Sequence, residues 1–298
     1  MSSPSPSFED VVPLYEDVTL VDVFYPKSLD LPFDQQLRHK PRPILLRYHG
    51  GGLAGGSSLY PPFFSPWYLE LAKENLAIIV FPNYRPLLES SVMDILEDAE
   101  DHWQWTHRDM PLFLEQETAG ALQADLSRIM SVGESAGGYL SLQMGLNHAS
   151  KICAVNAVYP VVDFKTPRFC NGQQKPVFNM SPFPRNYLER HMEEVKRQEA
   201  LTLGTLFPDN TMAPYPLKKL DQGARFPRGG VVVLHGKDDT VASIEKSYML
   251  GKKLSEVDPE LDFKLVVRDG EHGFDHSAKL RDKWLWDAIQ GILKAWLE

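Results

Sequence analysis

Seven short runs rich in Val, Ile, Leu and Phe alternate with segments whose apolar residues recur at helical spacing, and this rhythm narrows the possible folds more than any other feature. The runs cover residues 18–25, 44–48, 76–81, 128–132, 152–158, 230–234 and 262–267. Each is bounded by turn residues and nearly continuously apolar, as a strand buried on both faces must be. Helical patterns fall between most of them, over 92–105 (Val92, Ile95, Leu96, Ala99, Trp103), 138–147, 243–256 and 277–297. Strands alternating with helices predict an α/β fold with a mostly parallel central sheet flanked by helices.

The stretch 163–226 breaks the rhythm, with seven prolines, no clear strand and an amphipathic piece over 185–201. A structureless loop of that length does not suit a compact domain. It reads as an inserted lid with its own helix or two, between core segments 15–162 and 227–298. The opening MSSPSPSFEDVV is polar and has no basic or apolar signal region, so residues 1–14 read as a disordered tail and the expected location is cytoplasmic.

A chain of 298 residues can bury about three quarters of its unfolded surface in one large domain. Its net charge of −9 argues against nucleic acid or an anionic membrane as partner, since both reward clustered Lys and Arg. No stretch approaches the length of an apolar membrane span. The two cysteines, Cys153 and Cys170, form neither a disulfide framework nor a metal-binding C-x-x-C.

Chemistry enters at residues 133–138, GESAGG, directly after the predicted strand 128–132 and before the predicted helix 138–147. A G-x-S-x-G pattern alone arises by chance roughly 0.1 times in a chain of this length. Its setting makes it a nucleophile elbow, a sharp turn that needs glycines because side chains there would clash. A serine hydroxyl is a weak nucleophile at neutral pH and needs a base, itself oriented by a third group. Two later loops offer these: HGKDDTVAS after strand 230–234, and RDGEHGF after strand 262–267. Ser135 is thus the candidate nucleophile and His272 the base. Asp238 and Asp239 both qualify as the acid, and two carboxylates facing one imidazole would repel, so one should face solvent or cap the next helix.

The run HGGGLAGGSS at 49–58, immediately beyond strand 44–48, brings glycine N–H groups close together, as stabilisation of an oxyanion requires. It carries no phosphate-loop or dinucleotide-loop spacing. The EHGFDH run admits a metal reading through His272 and His276, but no further ligands converge in sequence and His276 reads as opening the last helix. His102, His107, His148 and His191 read as solvated helix residues. Phe63, Phe64, Trp67 and Tyr68, in LYPPFFSPWY, either wall an apolar substrate pocket or pack the following helix onto the sheet.

HGGG, NYR (Asn83 to Arg85), GESAGG, HGKDD and EHGF, in this order, resemble the hormone-sensitive-lipase-like branch of the α/β-hydrolase fold over roughly residues 40 to 298. The resemblance implies a carboxylesterase with Ser135, Asp239 and His272 as triad and Gly50, Gly51 and Ala136 as oxyanion hole. It implies no metal or organic cofactor, and a small-molecule ester or thioester substrate. Tyr84 would support the site. The chain departs from the family in a short N-terminal segment, in Glu134 where many members carry Asp, and in YRPLLES for the usual Y-R-L-x-P-E. Other readings keep the machinery but change the acyl acceptor or donor: thioesterase, lactonase, cyclase or acyltransferase, as in natural-product biosynthesis. A non-catalytic ligand-binding protein on this scaffold and a prolyl-oligopeptidase-like peptidase stand further off. A homodimer is compatible with the sequence. The role of Glu134 stays open.

Overall fold

The computed structural model describes residues 11–16, 21–27, 40–87, 90–163, 193 and 214–298, with backbone only over 11–16. Most of the expected lid, 164–192 and 194–213, lies outside the described residues, as do residues 1–10, His191 and Cys170.

Eight strands form one sheet: β1 (Val11–Glu16), β2 (Val21–Pro26), β3 (Arg42–Tyr48), β4 (Ile78–Pro82), β5 (Ala124–Glu134), β6 (Ile152–Val158), β7 (Val231–Gly236) and β8 (Phe263–Arg268). Their order is β1-β2-β4-β3-β5-β6-β7-β8. β1 and β2 pair antiparallel, as do β2 and β4. Every other pairing is parallel, as βαβ crossovers require. Residues 11–14, read from sequence as tail, belong to β1. The strand was illegible because Pro13 interrupts it, a residue tolerated on a sheet edge because it cannot donate to the ladder.

The described helices are α1 (Trp67–Asn75), α2 (Val92–Arg108), α3 (Met110–Glu117), α4 (Ala136–Asn147), α5 (Pro216–Asp221), α6 (Ile244–Val257) and α7 (Lys283–Leu297). None is long and apolar enough to cross a membrane. Ile44, Leu46, Ile78, Val80, Val231 and Val233 point into one apolar cluster with α2, α4 and α6. Leu45, Ile79, Val232 and Leu234 point into the other, with α1 and α7. The two-residue period of a strand therefore buries successive apolar side chains on opposite faces. α2 opens on a capping box, in which Ser91 receives the Asp94 N–H and the Asp94 carboxylate receives the Ser91 N–H. α7 begins at Lys283 rather than in the predicted region near 277, so His276 lies exposed in a turn and opens no helix.

Candidate active site

β5 delivers Ser135 at its C-terminal end. The serine takes φ 57° and ψ −116°, a sparsely populated backbone state for a residue with a side chain, costing about 1–3 kcal/mol. The Ser135 N–H donates to Val158 O (2.8 Å), and its carbonyl accepts the Tyr139 N–H (3.1 Å), opening α4. Glycines let the turn press on β3: a Cβ on Gly137 would lie 2.0 Å from Tyr48 O, and one on Gly133 2.5 Å from the Gly137 backbone. The elbow is a close approach of backbones that only glycine allows.

β7 and β8 bring the acid and base loops side by side. His272 Nδ1 lies 2.8 Å from Asp239 Oδ2. A carboxylate only accepts, so Nδ1 carries the hydrogen and the ring's lone pair sits on Nε2. Asp239 Oδ1 accepts the N–H groups of Val241 and Ala242, both at 2.8 Å. The wholly buried His235 comes within 3.3 Å of Asp239 Oδ2 through Nε2, which also faces Ala242 O at 3.0 Å, while Ser247 Oγ meets its Nδ1 at 2.8 Å. Burial pushes the Asp239 carboxyl up, but the hydrogen bonds and charges of His235 and His272 outweigh it and hold the pKa well below the carboxylate range. Asp238 is exposed and meets the base loop mainly through its backbone, its N–H donating to Gly270 O at 3.0 Å. The structure thus joins Asp239, not Asp238, to His272.

The glycine loop follows β3. A Cβ built on Gly50 would sit 3.6 Å from Ser135 Cβ, so this loop lies against the serine. Gly51 takes φ 108°. Ala136 is fully buried as the first residue of α4. His49 anchors the loop, its Nδ1–H donating to Gly50 O at 2.7 Å while its ring stacks on Tyr84 at 4.2 Å. Tyr84 donates its hydroxyl to His49 O at 2.8 Å. Burial, partly opposed by the Gly50 bond, lowers the His49 pKa to about 4, so the ring is a neutral scaffold.

Glu134 is buried, its Oε1 accepting Arg47 Nη2 at 2.7 Å and the Ser65 N–H at 3.0 Å. Asp275 is fully buried and accepts the Trp67 Nε1–H at 3.0 Å. Tyr159, with φ 38°, places its ring 4.3 Å from that of His272. Sequence reading missed Arg47, Asp275, Tyr159 and His235. A signal existed for Arg47, a charge within the otherwise apolar run ILLRY (44–48) of β3. In LYPPFFSPWY, Phe64, Trp67 and Tyr68 are core, and the half-buried Phe63 lies against Gly51 and Gly56 of the glycine loop. His102, expected in solvent, is buried with Nε2 2.6 Å from Asn83 O. No group of three His, Cys, Asp or Glu able to hold a metal occurs among the described residues.

Residues 45–208 match the profile of an alpha/beta hydrolase fold family. The chain is 27% identical over 288 residues to a probable carboxylesterase, M8, of Phoma sp., covering 88% of each chain. A stretch of 167 residues, 55% of this chain and 7% of the other, is 26% identical to the non-reducing polyketide synthase nvfA of Aspergillus novofumigatus. Esterase B of Lactobacillus rhamnosis, solved with a tributyrin phosphonate inhibitor, superposes with a TM-score of 0.62 at 15% identity, covering 97% of this chain and 85% of that one. Strand order, elbow and profile agree, and the chain belongs to the α/β-hydrolase-fold family, in its hormone-sensitive-lipase-like branch.

Proposed function

We propose that this chain is a carboxylesterase-type serine hydrolase that cleaves carboxylic esters through an acyl-enzyme on Ser135. The observation that carries the reading is the 2.8 Å contact fixing the His272 tautomer on Asp239, in a fold that presents Ser135 on a strained elbow. The carboxylesterase relative of nearly equal length supports the same reaction class.

His272 Nε2 removes the Ser135 proton as Oγ bonds to the carbonyl carbon, and the carbonyl electron pair moves onto oxygen. The amides of Gly50, Gly51 and Ala136 stabilise that oxyanion. As the tetrahedral intermediate collapses, the bond to the alcohol oxygen breaks and the imidazolium returns the proton to it. Water, deprotonated by the same nitrogen, then releases the acid and restores Ser135. Asp239 keeps Nδ1–H in place and stabilises the imidazolium.

Ser135→Ala is expected to lower kcat on an activated aryl ester by about 10⁴ or more. Retained turnover in that variant overturns the reading, as does failure of a fluorophosphonate probe to label Ser135 in the folded wild type. The polyketide synthase match supports a second reading, acyl release from a thioester or transfer to an alcohol. Partitioning of the acyl-enzyme between water and added alcohol, with ester and thioester donors compared in kcat/KM, separates the two.

A further inference from the structure

Residues 63–67 touch the glycine loop, the elbow and the base loop. The Phe63 ring lies against the glycine loop, where a Cβ on Gly56 would meet it at 3.0 Å and one on Gly51 at 3.3 Å. The Ser65 N–H holds Glu134, one residue before Ser135, at 3.0 Å. Trp67 Nε1–H holds Asp275, three residues after His272, at 3.0 Å. Arg47 fastens the segment to the sheet, with Nη2 donating to Phe63 O (2.6 Å) and Glu134 Oε1 (2.7 Å). Its guanidinium lies over the Phe64 and Phe81 rings at 4.0 and 4.3 Å.

This arrangement is expensive. Arg47, Glu134, Ser65 and Asp275 are each no more than 2% exposed, and the one guanidinium pairs with Glu134 while the Asp275 charge acts against that carboxylate. Glu134 Oε2 and Asp275 Oδ1 have no hydrogen-bond partner among the described residues, while the Ser65 and Asp275 side chains interact with the buried Tyr159 phenol. Well-packed apolar residues commonly replace a buried ion pair without loss of stability. An under-satisfied cluster kept between the elbow and the base loop therefore points to geometry rather than stability.

We propose that Glu134 and Asp275 are positioning residues that, through residues 63–67, set the placement of Ser135 relative to His272. The proposal rests on the reading of Ser135 and His272 as nucleophile and base. Tyr159 completes the link, because its ring packs on His272 while Asp275 and Glu134 both act on its buried phenol. Displacing either anchor moves a catalytic group without touching the substrate, so the loss falls on kcat rather than on KM.

The test is a double-mutant cycle of Glu134→Gln and Asp275→Asn on an activated aryl ester. Each single change is expected to lower kcat about 10- to 100-fold, the range for a misplacement of about 1 Å, with KM within about threefold. Because both act through one segment, the double variant loses little more than the worse single one. Trp67→Phe keeps an aromatic side chain but removes the indole N–H together with its fused ring; it carries the test if a carboxylate variant does not fold, with a loss of about 10-fold in kcat expected. Wild-type kcat in folded variants, losses confined to KM, or losses that multiply in the double variant overturn the proposal. Fluorophosphonate labelling of wild-type Ser135 is run alongside: no labelling refutes the nucleophile assignment, whereas labelling with unaffected variants refutes the positioning role alone.

Discussion

Two buried acidic regions meet at His272, and they are built in opposite ways. Asp239 receives two backbone N–H groups on one oxygen and His272 on the other, with His235 close by, so burial is overcome and the carboxylate stays charged. Glu134 and Asp275 each keep one oxygen without a hydrogen-bond partner among the described residues, and burial pushes the Glu134 carboxyl up against the opposing pull of Arg47. A fully satisfied carboxylate is suited to stabilising a transient imidazolium. An under-satisfied pair is suited to holding loops in place, because each remaining hydrogen bond is costly to lose.

The largest break in this comparison is Asp239→Asn. It is expected to keep the fold but disturb the His272 tautomer, lowering kcat about 10⁴-fold, or about 5.5 kcal/mol in barrier. Steady-state kinetics beside the wild type check it, and a loss under tenfold would remove Asp239 from the proposed triad. Next is Arg47→Met, which leaves the buried Glu134 carboxylate without its cation. Urea unfolding at pH 7 is expected to show a loss of about 3–5 kcal/mol.

A subtler separation comes from pH. The lowered pKa of Asp239 adds stability above its unfolded value of about 3.9, lost as pH falls through the folded value. The raised pKa of Glu134 works with the opposite sign. Its contribution is complete below the unfolded value of about 4.3 and is lost as pH rises toward the folded value. Unfolding free energies from pH 3 to 8 should therefore show the wild type losing ground to Glu134→Gln as pH rises above about 4. A constant difference between the two would contradict the assignment. Smallest is Asp238→Asn, expected to change stability by less than about 0.5 kcal/mol and kcat by less than threefold, since its side chain is exposed.

Local patterns made much of this legible. GESAGG after an apolar run located the elbow because the turn's requirement for small residues is written in adjacent positions. Other elements hid for local reasons: α3 follows α2 with only Asp109 between them, and Pro111 reads as a breaker although a helix accepts it in the first turn. The Asp238 or Asp239 ambiguity is equally local in origin, because neighbouring carboxylates carry the same chemistry until the turn after β7 sends one inward and one out.

The sequence by itself determined the alternation of strands and helices, the elbow, the glycine loop and the order of serine, acid and histidine, all of which depend on spacing along the chain. Only the tertiary structure decided what Glu134 touches. Its partner Arg47 is 87 positions away, and Asp275, 208 positions from its donor Trp67, reaches it through burial in a shared space. A buried charge is defined by what surrounds it, and those surroundings exist only once the sheet has brought β3, β5 and the base loop together.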